Sequence, residues 1–127
     1  PELAFVAMDA RHLVGSVRYW PIMIGAAPAL LLGPLAVTPP RRSQGIGVAL
    51  LERSLERAQE LGHGLVILVG DLPYYSRAGF AIVPHGQITL PGPVDPARLL
   101  YRELIPGALS GARGLARGVG ARELLRA

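Results

Sequence analysis

Arg42-Ser43-Gln44-Gly45-Ile46-Gly47 is the stretch of this chain best suited to chemistry. Two glycines one residue apart follow a pair of arginines and open a long amphipathic run that reads as a helix. The first N–H groups of a helix have no intrahelical partner, and the macrodipole places about half a positive charge there. A phosphate can therefore sit on the amides of Gln44 to Gly47, with Arg42 beside it and no side chain on Gly45 or Gly47 to keep it away. Two familiar phosphate sites do not fit. A dinucleotide fingerprint needs a third glycine where Leu50 stands, and a P-loop needs Gly-Lys-[Ser/Thr] in a chain whose 13 basic residues are all Arg. The chain has no Cys, which excludes thiolate nucleophiles, thiolate metal sites and disulfides, and its three His are scattered, so no metal is expected.

The elements that must position this loop follow from pattern. Leu3 to Met8 reads as a buried strand, Asp9-Ala10-Arg11 as a turn, and His12 to Met23 as a longer Val-, Tyr- and Trp-rich strand, together an antiparallel hairpin. Tyr19 and Trp20 face opposite sides of it, one to pack and one to line a cleft. Gly25 to Pro28 is the next turn and Ala29 to Val37 the next strand. Gly33-Pro34 inside that strand marks a bulge or the end of pairing, since Pro cannot donate to a ladder. The backbone of Leu35, Ala36 and Val37 is then open to a ligand. From about Gln44 to Leu61 a helix buries Ile46, Leu50, Leu51, Leu55 and Ala58 and pairs Arg53 with Glu56 and Arg57 with Glu60 on its wet side. Gly62 ends it, which places His63 on the order of 25 Å from the glycine pair.

Leu65 to Val69 is suited to a central parallel strand, Asp71 to capping a short helix over Pro73 to Arg77. Phe80 to Val83, Gln87 to Leu90 and Leu99 to Ile105 read as further strands, with a turn at Pro84-His85-Gly86. The expected division is a domain over residues 1–105 and a Gly/Arg-rich tail over 106–127, frayed or weakly helical through Leu115, Val119 and Leu124.

Bulk properties narrow the class. A chain of 127 residues is one domain by length with enough buried surface for a core, and half of its residues are hydrophobic. The longest apolar run, Ala26 to Val37, is broken by Pro28, Gly33 and Pro34 and is too short to span a bilayer, so a soluble protein is expected. The net charge of +4 lies mostly in the tail, where Arg113, Arg117, Arg122 and Arg126 face only Glu123. No basic stripe interleaved with aromatics remains to suggest nucleic acid. The chain opens on Pro1 and enters a strand at once, which points to a piece of something longer; with no signal peptide at this end, a cytoplasmic location is expected.

Arg42-Ser43-Gln44-Gly45-Ile46-Gly47 resembles the [RQ]-x-x-G-x-[GA] acyl-CoA loop of the GNAT superfamily of N-acetyltransferases. The context is similar too, after a bulged strand ending Leu35-Ala36-Val37 and before an amphipathic helix. Tyr75-Ser76-Arg77-Ala78-Gly79-Phe80 resembles the family's second signature, Tyr-x-[KR]-x-Gly-Phe, and LVGDLPYYSRAGF with LPGPV looks like its YhbS-like branch. The resemblance covers about Leu3 to Ile105. It implies an α/β (α+β) fold: a mixed, mostly antiparallel twisted sheet with a splayed central strand and flanking helices. The family's first strand and two helices have no counterpart in this sequence, and Asp71 stands where many members carry Asn.

The resemblance implies acetyl-CoA as cosubstrate and transfer of its acetyl group to a small-molecule or peptide amine by direct attack. Leu35, Ala36 and Val37 would pair with the pantetheine arm, while Arg42, Ser43, Gln44, Gly45, Ile46 and Gly47, with Arg77, would hold the cofactor. A backbone N–H of Val37 or Leu35 would face the oxyanion. Tyr75 is the family-matched general acid; its alternative is a core aromatic role, with Tyr74 the residue that matters. Asp71, His85, a water relay and a residue on the missing segment are all open as the base, and polyamine, amino acid, antibiotic, peptide and protein lysine are open as acceptor. No nucleic-acid or membrane partner is expected, and homodimerisation is left open. The alternatives are a non-catalytic acyl-CoA-binding or regulatory module, and an interaction protein assembled through open strand edges.

Overall fold

The computed structural model describes residues 3–39 and 45–119. Strands β1 (Leu3–Asp9), β2 (His12–Ile24) and β3 (Ala27–Val37) form an antiparallel meander, followed by helix α1 (Ile46–Glu60) and strand β4 (Leu65–Val69). A four-residue helix α2 (Leu72–Tyr75) runs into a 3-10 turn over Ser76–Ala78. Short strands β5 (Ala81–Ile82) and β6 (Ile88–Thr89), then β7 (Leu99–Glu103) and β8 (Gly114–Gly118), follow. The sheet order is β5-β7-β4-β3-β2-β8-β6, with β1 also on β2. Among the described residues only β3–β4 and β6–β8 are parallel pairs. This is the mixed, mostly antiparallel sheet with flanking helices that the resemblance implies.

Period-two alternation sorts the strands into two cores. Val66 and Leu68 of β4, with Val17, Tyr19, Leu30 and Leu32, face α1 and bury its Leu50, Leu51, Leu55 and Ala58. Leu65 and Ile67 face the other way, against Ile22, Ile24, Ala29, Val83, Leu99, Leu109 and Ala116. α1 keeps the expected stripe with two changes: Ile46 is half-buried, and Ser54 is fully buried. Ser54 is tolerable there because Tyr19 Oη lies 2.6 Å from its Oγ, which itself donates to the Leu51 carbonyl at 3.0 Å. On the wet side the Arg57–Glu60 pair closes at 3.1 Å.

Four expectations change. β1, read as a buried strand, pairs among the described residues only with β2 and has no fully buried residue, with Val6 and Met8 exposed. The turn after β2 is only Gly25-Ala26, and Pro28 lies inside β3 opposite Met23, near the strand's start, where β4 has not yet joined. Asp71 holds the N-cap position of α2 but makes no side-chain capping bond. Residues 114–118 are a strand and neither frayed nor helical: Ile22, Met23 and Ile24 extend past β1 and offer a free edge, which Gly118, Arg117 and Ala116 fill. Gln87, nearly buried, donates its side-chain amide to the Leu109 and Ala112 carbonyls at 2.7 and 3.1 Å, which holds the approach to β8. Among the described residues no helix is long and apolar enough to cross a membrane.

Candidate functional site

β3 and β4 pair only at Leu30–Val66 and Leu31–Ile67. Beyond Leu31, β3 stays with β2, in register Val17–Leu35, Ser16–Ala36 and Gly15–Val37, and no bridge joins it to β4 among the described residues. The departure coincides with a bulge: the β2–β3 register shifts between Val17 and Tyr19, so Gly33 and Pro34 together occupy the space opposite Arg18. The Gly33–Pro34 peptide is cis, and the Gly33 φ of 150° is one that favours glycine. A wedge thus opens between the last residues of β3 and the end of β4, as Gly33-Pro34 suggests.

α1 begins at this wedge. Gly45 is its N-cap at φ 78°, with no side-chain capping bond and no acidic residue in the first turn. Among the described residues a Cβ at Gly45 would meet nothing within 4 Å. Gly47 is glycine for a further reason. A Cβ there would run into the Tyr74 hydroxyl, with Val37 Cγ2 3.5 Å away. Tyr74, the end of β3 and the start of α1 therefore meet at one point. Arg42, Ser43 and Gln44 lie outside the described residues.

Tyr75 sits one step deeper. Its ring packs edge-on against Tyr74, centroids 5.0 Å apart, and against the buried Phe80 at 5.9 Å. Gly70 makes room for it, since a Cβ there would lie 2.6 Å from Tyr75 Cε2. Burial, with Tyr74 beside it, raises its pKa, so the half-buried phenol is neutral at physiological pH. Arg77 is exposed and lays its guanidinium 5.8 Å from the Tyr74 ring centre. Arg102 fixes the turn that follows by donating to the Ala78 carbonyl at 2.7 Å.

The structure thus brings together Val37, Gly47, Tyr74 and Tyr75, with Arg77 against Tyr74. His63 lies beyond the far end of α1, and His85 is in an exposed turn after β5. Two contributors escaped the sequence reading: Gly70, whose signal is a glycine immediately after a buried strand, and the Tyr74 hydroxyl over Gly47. Trp20 is the member of the Tyr19–Trp20 pair left half-buried; its Nε1–H donates to the Gly33 carbonyl at 2.8 Å, directly at the bulge.

A backbone wedge, an uncapped helix start free of acidic residues and a neutral phenol are what a thioester carrier with an anionic head and an amide-containing arm would require. The Acetyltransferase (GNAT) domain model matches residues 1–82. The uncharacterized N-acetyltransferase YhbS of Escherichia coli K12 is 30% identical over 116 residues, 89% of this chain and 70% of that protein. The E. coli YhbS crystal structure in complex with CoA superposes with a TM-score of 0.85 at 27% identity, covering 94% of this chain and 68% of that one. A GNAT family acetyltransferase from Brucella melitensis, in complex with acetyl-CoA, gives a TM-score of 0.65 at 28% identity over 81% of this chain and 58% of that one. With the family model covering well over half of its length, the chain belongs to the GNAT acetyltransferase family.

Proposed function

We propose that this chain is an acetyl-CoA-dependent N-acetyltransferase that passes an acetyl group directly to a primary amine. The observation that carries the reading is the meeting of the α1 start, the open end of β3 and the Tyr74–Tyr75 pair around Gly47. The amides of Gly45, Ile46 and Gly47, with Arg42, Ser43 and Gln44 ahead of them, hold the diphosphate. Leu35, Ala36 and Val37 align the pantetheine arm as an added strand on the side β4 has left, and Arg77 sits beside Tyr74 at the groove's rim. The carrier supplies an activated thioester; the amine nitrogen bonds to its carbonyl carbon, the C–S bond breaks, and the amine's surplus proton leaves to water. A backbone N–H of Leu35 or Val37 faces the developing oxyanion.

Tyr75 meets the departing sulfur. An ordinary phenol near 10 is a weaker acid than a thiol near 8.5, so complete proton transfer is uphill by about 2 kcal/mol, and the raised pKa of Tyr75 widens that gap. Tyr75 therefore acts as a hydrogen-bond donor to the thiolate. The test is Tyr75→Phe, followed by calorimetric titration with acetyl-CoA and by thiol release with an amine panel. Turnover should fall about 100-fold with acetyl-CoA affinity within about threefold. Unchanged turnover removes Tyr75 from the reaction, and tight binding with no release from the parent chain leaves a binding module.

A further inference from the structure

On the face of the sheet opposite α1, beside the closed end of the wedge, lies a pocket of about 230 Å³ lined by Trp20, Pro21, Ile22, Leu31, Leu90 and Pro91, closed by Ala116, Arg117 and Gly118 of β8. Leu31 is in the last β3–β4 bridge before the strands part, and Trp20 is its partner across β2–β3. The Trp20 indole is tied to the Gly33 carbonyl, so the pocket wall is fixed to the same bulge that opens the wedge. The helix face of the wedge is occupied by α1 and by Tyr74. On the opposite face the pocket abuts the closed end of the wedge through Leu31, still bridged to Ile67, and through Trp20.

We infer that the pocket receives the body of the amine acceptor, and that the acceptor is a hydrophobic α-amino acid. This rests on the acetyltransferase reading above. Three properties select the class. A cavity of roughly 150 Å³ holds a benzene ring, so 230 Å³ takes an aryl or branched-alkyl side chain. Among the described residues the lining carries no Asp or Glu to pair with a polycation. Arg117, the one charged residue of the lining among the described residues, is exposed at the rim and matches a carboxylate. With the side chain in the pocket and the carboxylate on Arg117, the α-amine is directed at the wedge. Its nitrogen takes the acetyl carbon, the thiolate departs, and the amine proton passes to water.

Trp20 is the only tryptophan in the chain, so its emission reports pocket occupancy without any turnover. Phenylalanine should change Trp20 fluorescence saturably, while spermidine should not. In the CoA-release assay phenylalanine and leucine should exceed spermidine and an aminoglycoside by about 10- to 100-fold in kcat/KM, the range a buried apolar side chain supplies. Leu90→Asp, on the half-exposed wall, should raise KM for phenylalanine at least tenfold with acetyl-CoA affinity unchanged. Arg117→Ala, at an exposed position, should abolish the preference for phenylalanine over phenethylamine. A preference for spermidine, a silent Trp20, or a KM within twofold in both variants overturns the acceptor assignment while leaving the acetyltransferase reading intact if acetyl-CoA still binds. Failure of the parent chain to bind acetyl-CoA overturns that reading, and this one with it.

Discussion

Gly47→Ala tests the junction of helix, strand and aromatic pair most directly. Two opposing contributions can be worked out. Alanine is better than glycine inside a helix by about 1 kcal/mol, and α1 has Gly47 in its first turn. Against this, the new methyl enters space held by the Tyr74 hydroxyl, with Val37 Cγ2 3.5 Å away on another side. Overpacking of this kind costs about 1–3 kcal/mol, so the net change should be a destabilisation of about 0–2 kcal/mol, or a fall of several degrees in Tm. The hydroxyl is the obstructing atom: Tyr74 Cζ would lie at 3.4 Å, close to ordinary contact. In a Tyr74→Phe background the clash is therefore relieved, and Gly47→Ala should be neutral to stabilising by up to about 1 kcal/mol. The cycle is read by urea melts of the four proteins, with acetyl-CoA titrations in parallel. A coupling energy of about 1–3 kcal/mol is expected, together with weakened acetyl-CoA binding in Gly47→Ala that Tyr74→Phe partly restores. Additive effects, with coupling below about 0.5 kcal/mol, would refute the placement of Tyr74 over the helix start.

Burial pushes the Tyr19 pKa up to about 12, against the Ser54 hydrogen bond and the nearby Arg102. Its folded value lies above its unfolded one, so the stability it contributes is complete below pH 10 and is lost as pH rises from 10 to 12, by about 2–3 kcal/mol in all. Tyr19→Phe should cost about 1 kcal/mol at neutral pH for the lost bond to Ser54 and flatten that alkaline decline, as measured by urea melts across pH. Gln87→Leu strands the two carbonyls it serves, Leu109 and Ala112. It should destabilise by about 1–3 kcal/mol and speed hydrogen exchange over residues 108–118 more than in α1. Arg102→Leu removes the bond to the Ala78 carbonyl. Turnover should fall by more than acetyl-CoA affinity does, because Ala78 lies in the turn between Tyr75 and Phe80; equal losses in both would count against a positioning role.

The parts of the fold visible in the sequence are those whose periodicity is local. β4 keeps its expected bounds, and α1 its stripe, because five consecutive apolar residues or a 3.6-residue repeat leave one way to bury them. Gly33-Pro34 could be read as a break because proline's missing donor acts wherever the residue stands. β8 could not be read. Gly114-Leu115-Ala116-Arg117-Gly118 has weak strand propensity, and the larger Leu115 is exposed while Ala116 is buried, the reverse of a simple hydrophobic reading. What makes it a strand is the edge of β2 beyond β1 and the side chain of Gln87, both distant in sequence. The same holds for the site. Tyr75 stood out through its motif, but Tyr74 over Gly47 and Trp20 on Gly33 are contacts across 27 and 13 residues, set by tertiary packing.

The location of the site follows from where the backbone is left under-bonded. A strand that parts from its neighbour gives up ladder partners on one side, and a helix without a side-chain cap leaves its first amides to solvent or ligand. In this chain both occur within one small region, with β3 running past Leu31 and α1 starting at Gly45. The segment that completes the site, α2, buries none of its own residues. Its Leu72, Tyr74 and Tyr75 lean on the core while only half-buried, and its ends are held by the Gly70 N–H on the Arg98 carbonyl and by the buried Phe80, whose N–H returns to the Tyr75 carbonyl. On the proposed function, a ligand with an anionic head and an amide-rich arm would bond both segments, so that its binding and the stability of this region become one equilibrium. Saturating acetyl-CoA at 100 times its Kd would then add about 2.7 kcal/mol to unfolding, and the added protection should concentrate in the first turn of α1, the end of β3 and α2.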